Sequence, residues 1–303
     1  SEERFVAAIR ADLDWLGLEV DEEHRQSARF KRYEAALERL AASGRAYRAY
    51  ETAQELELKR KVALGRGLPP VSDRAALALT DADRARLEAQ GRRPHWRFRL
   101  DRDAPIEWDD AIRGPQHLDP ARLSDPVIRR EDGSWLYMLP SVVDDIDMAV
   151  THVVRGEDHV TNTGLQLQMF EALGAAAPAF AHEALLVGSE GKLAKRLGSL
   201  GVEAMREAGI EPAALRAKLA RIGTSLPVEP IADAAPLIES FDLATFGRAP
   251  TRFDMAELAA LNARIVHQLP YEAVKGRLPA GMDAADWEAI RPNLAAVGEA
   301  ADW

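Results

Sequence analysis

Apolar residues recur at helical spacing through the first forty positions. Phe5, Ile9, Leu13, Leu16 and Leu18 crowd one face over residues 1–19, and Gly17 marks the end of that helix. Phe30, Tyr33, Leu37 and Leu40 line a second helix over about 27–43, which stops at Gly44. The stretch RAYRAYET, with Tyr47 and Tyr50, reads as a short strand feeding a helix through 53–64. From Gly65 to about 135 the texture changes. Gly67-Leu68-Pro69-Pro70 breaks the chain, a short helix follows at 80–90, and HWRFRLD alternates like a strand. This stretch is expected to be a mixed α/β insertion.

Beyond it, a helix-like stretch leads into THVVRG, a strand of buried character, and then into a helix at 162–173. HEALLVG (182–188) predicts a second apolar strand, opening into the polar loop SEGKLAKRLGS. Strand, helix, strand, with loops after the strand ends, is what a parallel α/β sheet offers a nucleotide. From about 200 the pattern is helical to the end, with Gly209, Gly223 and Pro227 as breaks.

Composition narrows this only partly. A chain of 303 residues is too long for one ordinary core and predicts two or three domains. The balance of 47% hydrophobic and 29% charged residues is that of a globular protein. No apolar run approaches the roughly 18 residues of a membrane span. The acidic amphipathic start lacks the order of a signal peptide, so a cytoplasmic protein is expected. Without cysteine there is no disulfide, no thiol nucleophile and no Cys-based zinc site. The seven histidines are scattered, so a metal held by side chains alone is not expected, whereas Mg²⁺ arriving with a nucleotide stays open. A net charge of −10 weighs mildly against nucleic acid, but local basic stretches leave the partner undecided.

Three clusters could carry chemistry. Lys192, Lys195 and Arg196 put three cations within five residues, just past a predicted strand and between Gly191 and Gly198. Such a loop can stabilise the charge that develops on a triphosphate as pyrophosphate leaves; a solvated basic turn explains the same residues. In VVRGEDH, Arg155 at a strand end has a guanidinium fork that suits a carboxylate, and Glu157 and Asp158 could take ribose hydroxyls or an amino group. An ion pair of Arg155 with Asp144 or Asp145 is the plainer alternative. Finally, Arg92, Arg93, His95, Trp96, Arg97 and Arg99 form a basic, aromatic run. It could face a phosphate backbone or simply rim a two-stranded edge.

Taken in order, GRAYRAYET, LPPVSDRA, SDPVIRREDGSWLYMLPSVVDDIDMAVTHVVRGEDHVTNT, QMFEALG and GKLAKRLGS resemble the glutamyl-tRNA synthetases, a class I aminoacyl-tRNA synthetase family, over nearly the whole chain. VVRGEDH is the specific segment, and KLAKR resembles the family's Lys-x-Ser-Lys-Arg signature. The resemblance implies an α/β fold: the second half of a Rossmann-type catalytic domain with an α/β acceptor-binding insertion, followed by an all-α region. Residues 1–47 would be the helical part of the catalytic domain and 48–135 the acceptor-stem-binding insertion. Residues 136–199 would be the second catalytic half, 200–270 a helical stem-contact domain, and 271–303 the start of a helical anticodon-binding domain.

The implied reaction is ATP-dependent activation of L-glutamate to glutamyl-adenylate, then transfer to the 3′ end of tRNA-Glu, with tRNA-Gln left open. By the same resemblance Tyr137 and Ser141 lie beside glutamate, Arg155 pairs with one of its carboxylates, and Glu157 and Asp158 border the glutamate and ATP sites. Lys192, Lys195 and Arg196 would hold the triphosphate and assist catalysis, and the backbone at Leu185, Leu186 and Val187 would meet adenine. Arg92, Arg93, Arg97 and Arg99 would face tRNA. ATP with Mg²⁺ is the expected nucleotide, without zinc, in a monomer with no membrane partner.

The chain departs from the family's pattern at three places. Ala194 stands where the signature has Ser. Ala49 and Glu51 fall in the stretch where some members carry zinc-binding cysteines. The family's first signature, His-x-Gly-His, would fall just before Ser1, and the anticodon-binding region breaks off at Trp303, so the chain is expected to be a piece that is inactive alone. A shorter relative that attaches glutamate to a queuosine base in tRNA resembles only the catalytic part, whereas here about a hundred residues of helical pattern follow KLAKR. A non-catalytic tRNA-binding remnant is the alternative from a different class.

Overall fold

The computed structural model describes residues 3–67, 69–188, 191–192 and 201–303, with the backbone alone at 191–192. They form two compact units, His24–His182 and Ser1–Glu23 with Glu183–Trp303. Strands of the first are β1 (Ala46–Ala49), β2 (His95–Phe98), β3 (Ile106–Asp110), β4 (Gly114–Leu118), β5 (Val127–Arg129), β6 (His152–Gly156) and β7 (Ala179–Glu183).

Two sheets organise this unit. β1, β2 and β5 run antiparallel in that order, with Ala46 opposite Phe98 and Ala49 opposite His95. The second sheet is mixed, in the order β4-β3-β7-β6, with β4 antiparallel to β3 and β3 parallel to β7. The expected strand–helix–strand is present as β6, the helix Val160–Ala172 and β7. Tyr33, Ala36, Leu37 and Leu40 bury one face of the helix Phe30–Ala42 against Phe98, Ile128, Leu139, Met169 and Phe180. Gly44 ends that helix at φ 72, where a side chain would be strained. Capping boxes at Thr52/Glu55 and Thr80/Asp83 start the helices Ala53–Gly65 and Asp81–Ala89, each satisfying two otherwise orphaned backbone donors.

One glycine fixes the distance between helix and sheet. A Cβ on Gly164 would come 2.5 Å from Leu118 Cδ2 and 3.5 Å from the Trp108 ring. The helix Val160–Ala172 therefore lies closer to β3 and β4 than any larger residue there would permit. Thr163 and Gln166, on the same helix, are buried by that approach, at 0% and 1% exposure.

In the other unit, Leu16 at the end of the helix Glu3–Leu16 packs with Met205, Ile210, Leu215, Phe253, Leu258 and Ile265. Residues 1–47, expected to form one part of the catalytic domain, divide: 3–23 and 30–42 belong to different cores. A further core gathers Val266, Val274, Trp287, Leu294 and Val297. The small sheet here has the order β10-β8-β9, from β8 (Leu186–Gly188), β9 (Gly191–Lys192) and β10 (Thr251–Arg252). HEALLVG is thus not one strand. Its first residues close β7 and its last form β8, parallel to β10. A continuous apolar run reports burial but not which partner each half will find. The presence of β10 also corrects the expectation of helix alone beyond 200.

Candidate functional site

β6 delivers Arg155, part-buried, to the end of the mixed sheet. Its guanidinium is clamped along one edge. Nε donates to His182 Nε2 at 3.3 Å, and Nη2 donates to Thr163 Oγ1 at 2.5 Å and Gln166 Oε1 at 2.8 Å. All three acceptors are neutral oxygen or ring nitrogen. Nη1 makes no hydrogen bond among the described residues, and Arg155 forms no ion pair there. The Phe180 ring lies 5.3 Å from Cζ, a cation–π distance. Burial pulls the Arg155 pKa below its usual value, opposed by Tyr137, Asp145, Asp110 and Asp158.

The plainer alternative for Arg155 does not hold. Asp144 is taken by Arg29 Nε at 2.6 Å, the Tyr33 hydroxyl at 2.9 Å and Gln26 Nε2 at 3.0 Å. Burial, then the contact with Asp144, pushes the Tyr33 phenol up to about 12. Asp145 makes no ion pair with Arg155; burial raises its carboxyl while the arginine's field partly offsets that.

The other glutamate-site candidates share the neighbourhood. Tyr137 is 43% exposed, its hydroxyl 3.3 Å from His159 Nδ1, and burial raises its phenol while Arg155 lowers it. Ser141, one turn along the helix Met138–Asp147, donates to the Tyr137 carbonyl at 2.8 Å. Glu157 Oε2 accepts from Arg113 Nη1 at 2.7 Å, so this carboxylate arrives already paired. Asp158 is exposed.

In the second unit the Leu185 and Val187 carbonyls accept from Thr251 N and Phe253 N. Alternation turns the N–H and C=O of Leu186 the other way, to the side on which β9 pairs with β8. Lys195 and Arg196 lie outside the described residues, and so does the Lys192 side chain.

The four insertion arginines divide. Arg93 and Arg99 are exposed. Arg92 forks onto Glu55 at 2.8 and 2.9 Å. Arg97, 6% exposed, spends Nε on His95 Nε2 and Nη1 on the Asp125 carbonyl. The expectation that Arg97 faces tRNA is corrected: alternation along β2 turns it inward, away from any phosphate.

Residues that the sequence reading missed complete the site. Asp110 ends β3 at 3% exposure and accepts from the His182 ring at 2.5 Å and from the backbone of Ile112, Arg113 and His182. Burial alone would raise the Asp110 carboxyl; these hydrogen bonds outweigh it and hold it below the usual range. Burial keeps His182 below its ordinary pKa despite Asp110, so the ring is neutral at pH near 7. The available signal was weak: a lone histidine beside Glu183 in β7, and the last of three carboxylates in β3, after Glu107 and Asp109.

A family model described as class I tRNA synthetases (E and Q), catalytic domain, matches residues 1–260. A glutamate–tRNA ligase of Rhizorhabdus wittichii is 73% identical across all of this chain, which spans 68% of that protein. One of Erythrobacter litoralis is 67% identical across all of it, the chain spanning 69% of that relative. Among solved structures, a glutamate tRNA ligase of Elizabethkingia meningosepticum in complex with its amino acid matches with a TM-score of 0.83 at 24% identity, covering 98% of this chain and 68% of that one. The glutamate-tRNA synthetase of Elizabethkingia anophelis matches with the same TM-score at 25% identity, covering 98% and 70%. With a family match over most of its length and relatives this similar along all of it, the chain belongs to the class I tRNA synthetases of the E and Q group.

Proposed function

We propose that the protein carrying this chain joins L-glutamate to tRNA in an ATP-dependent ligation, activating the carboxylate as an adenylate and passing it to the tRNA 3′ end. The observation that carries the reading is Arg155: a part-buried guanidinium held by neutral acceptors, with Nη1 uncommitted among the described residues. A cation fixed without a counter-ion is a receptor for an anion, and a carboxylate is the anion that the names of the relatives supply. Glutamine lacks that charge and would forfeit a charge-assisted bond, which gives the site a basis for choosing between them.

Tyr137 and Ser141 are proposed to border the amino acid. Glu157, paired with Arg113, and Asp158 would lie towards the nucleotide. Lys192, Lys195 and Arg196 would hold the triphosphate of ATP, brought in with Mg²⁺, and the backbone around Leu185 and Leu186 would meet adenine. Arg93 and Arg99 are the proposed tRNA-facing members of the 48–135 insertion, with the helical residues 200–303 contacting the rest of the tRNA. A cytoplasmic monomer fits this reading; among the described residues no helix is long and apolar enough to cross a membrane.

Charging of purified tRNA by the complete protein, followed with labelled glutamate and ATP, tests the proposal. Glutamate-dependent, ATP-dependent charging is expected. Tight tRNA binding with no adenylate formed would favour the tRNA-binding remnant instead.

A further inference from the structure

The guanidinium of Arg155 is aimed by a relay whose hydrogen directions can be assigned. Asp110 is anchored first: its Oδ1 accepts the backbone N–H of Ile112, Arg113 and His182 at 3.1, 2.9 and 3.1 Å. Its Oδ2 sits 2.5 Å from His182 Nδ1. An ionised carboxylate only accepts, so the proton of a neutral His182 must be on Nδ1. Nε2 is then a lone pair. It faces two donors, the Thr163 hydroxyl at 2.8 Å and Arg155 Nε at 3.3 Å. With its proton directed to His182, Thr163 Oγ1 is free to accept from Arg155 Nη2. Gln166 Oε1 takes the second hydrogen of Nη2.

The count of hydrogens is closed. Nε has one and Nη2 two, and all three are engaged; among the described residues the two on Nη1 are not. The opposite tautomer of His182 would point an N–H at the guanidinium and at the hydroxyl, orphaning Arg155 Nε and reversing Thr163. We propose that Asp110, His182 and Thr163 are positioning residues for amino-acid recognition: Asp110 fixes the Nδ1-protonated tautomer of His182, and His182 with Thr163 holds the Nε–Nη2 edge of Arg155 so that Nη1 alone is presented to the substrate carboxylate. The carboxylate is thereby received end-on at Nη1, not across the Nε–Nη2 edge. This rests on the reading above that Arg155 meets glutamate.

The relay is separable from simple packing by near-isosteric changes. Asp110→Asn keeps one oxygen for the backbone donors and replaces Oδ2 with a donor, which drives the His182 proton to Nε2. Thr163→Val removes the hydroxyl at constant shape, and Thr163→Ser restores it. All are made in the complete protein, with Arg155→Ala in parallel. Charging kinetics are read as KM for glutamate, KM for ATP and kcat.

The account expects Asp110→Asn and Thr163→Val each to raise KM for glutamate by roughly tenfold, with KM for ATP changed by less than about twofold. Thr163→Ser should return KM for glutamate close to wild type. Imidazole ¹⁵N shifts should put the His182 proton on Nδ1 in the wild type and on Nε2 in Asp110→Asn. If Arg155→Ala raises KM for glutamate while Asp110→Asn and Thr163→Val do not, the relay is overturned and the assignment of Arg155 stands. If Arg155→Ala itself leaves that KM unchanged, the underlying reading falls and the relay with it. Should Asp110→Asn fail to fold, Thr163→Val against Thr163→Ser decides alone.

Discussion

Asp110 and Asp125 are both buried, at 3% and 0% exposure, and each secures an arginine by a different means. Asp125 meets its arginine directly. Arg74 donates Nε and Nη2 to its two oxygens at 2.8 Å each, and the Tyr47 hydroxyl and Leu100 N–H add bonds at 2.8 and 3.1 Å. Arg74 even sits at φ 57, a backbone conformation costly for a non-glycine residue, so the cluster holds it against local strain. Asp110 reaches Arg155 only through the neutral ring of His182. A carboxylate in contact neutralises an arginine and makes it architecture. A carboxylate one ring away orients the arginine and leaves its charge for something else.

The strongest way to break that contrast is to remove Arg74. Among the described residues, Arg74→Ala leaves the buried carboxylate with only Arg102, 3.7 Å away, as a cation and should cost about 3 kcal/mol of stability, measured by denaturant unfolding. A loss of glutamate affinity with unchanged stability would show that Asp125 belongs to the site and not to the frame.

Acid tests the relay next, because His182 stands between Asp110 and Arg155. His182 and, in the neighbouring sheet, His95 are held below the ordinary pKa, each chiefly by burial. Such groups bind fewer protons folded than unfolded, so stability rises with pH and is lost as pH falls through the unfolded value of about 6.5. The depressed carboxyl of Asp110 adds loss in the same direction at more acid pH. Melting temperature should therefore fall between about pH 7 and pH 5, and His182→Gln should flatten the fall. A pH-independent melting temperature in the wild type would contradict the neutral ring.

The same contrast recurs among the insertion arginines. Arg93→Ala and Arg99→Ala should each weaken tRNA binding and reduce the slope of log affinity against log salt by about one, as loss of a phosphate contact does. Arg97→Ala should lower stability and leave that slope alone. The smallest expected change is at Ala194. Restoring a hydroxyl with Ala194→Ser would add a phosphate donor worth on the order of 1 kcal/mol and raise the activation rate several-fold. An unchanged rate would show that the lysines suffice.

Much of the frame was legible in the sequence because it rests on periodicity. The helices over 30–42, 53–65 and 81–89, and the strand–helix–strand around Arg155, follow from apolar spacing and end signals. The site was half legible. Arg155, Tyr137 and Glu157 stand in a dense local motif, but Asp110 lies 45 residues upstream of Arg155 and His182 lies 27 downstream. Their partnership is made by β3 pairing with β7, a contact between distant segments that no local pattern encodes. Arg97 was misread for a related reason: the basic run is visible, but which side chains alternate inward depends on the register between β1, β2 and β5.

The central claim is that Arg155 receives the substrate carboxylate through Nη1, and Arg155→Ala in the complete protein tests it most directly. The account predicts a rise in KM for glutamate of roughly a hundredfold or more, with KM for ATP little changed, as expected when one partner of a buried charge pair is removed. A near-normal KM for glutamate would contradict it.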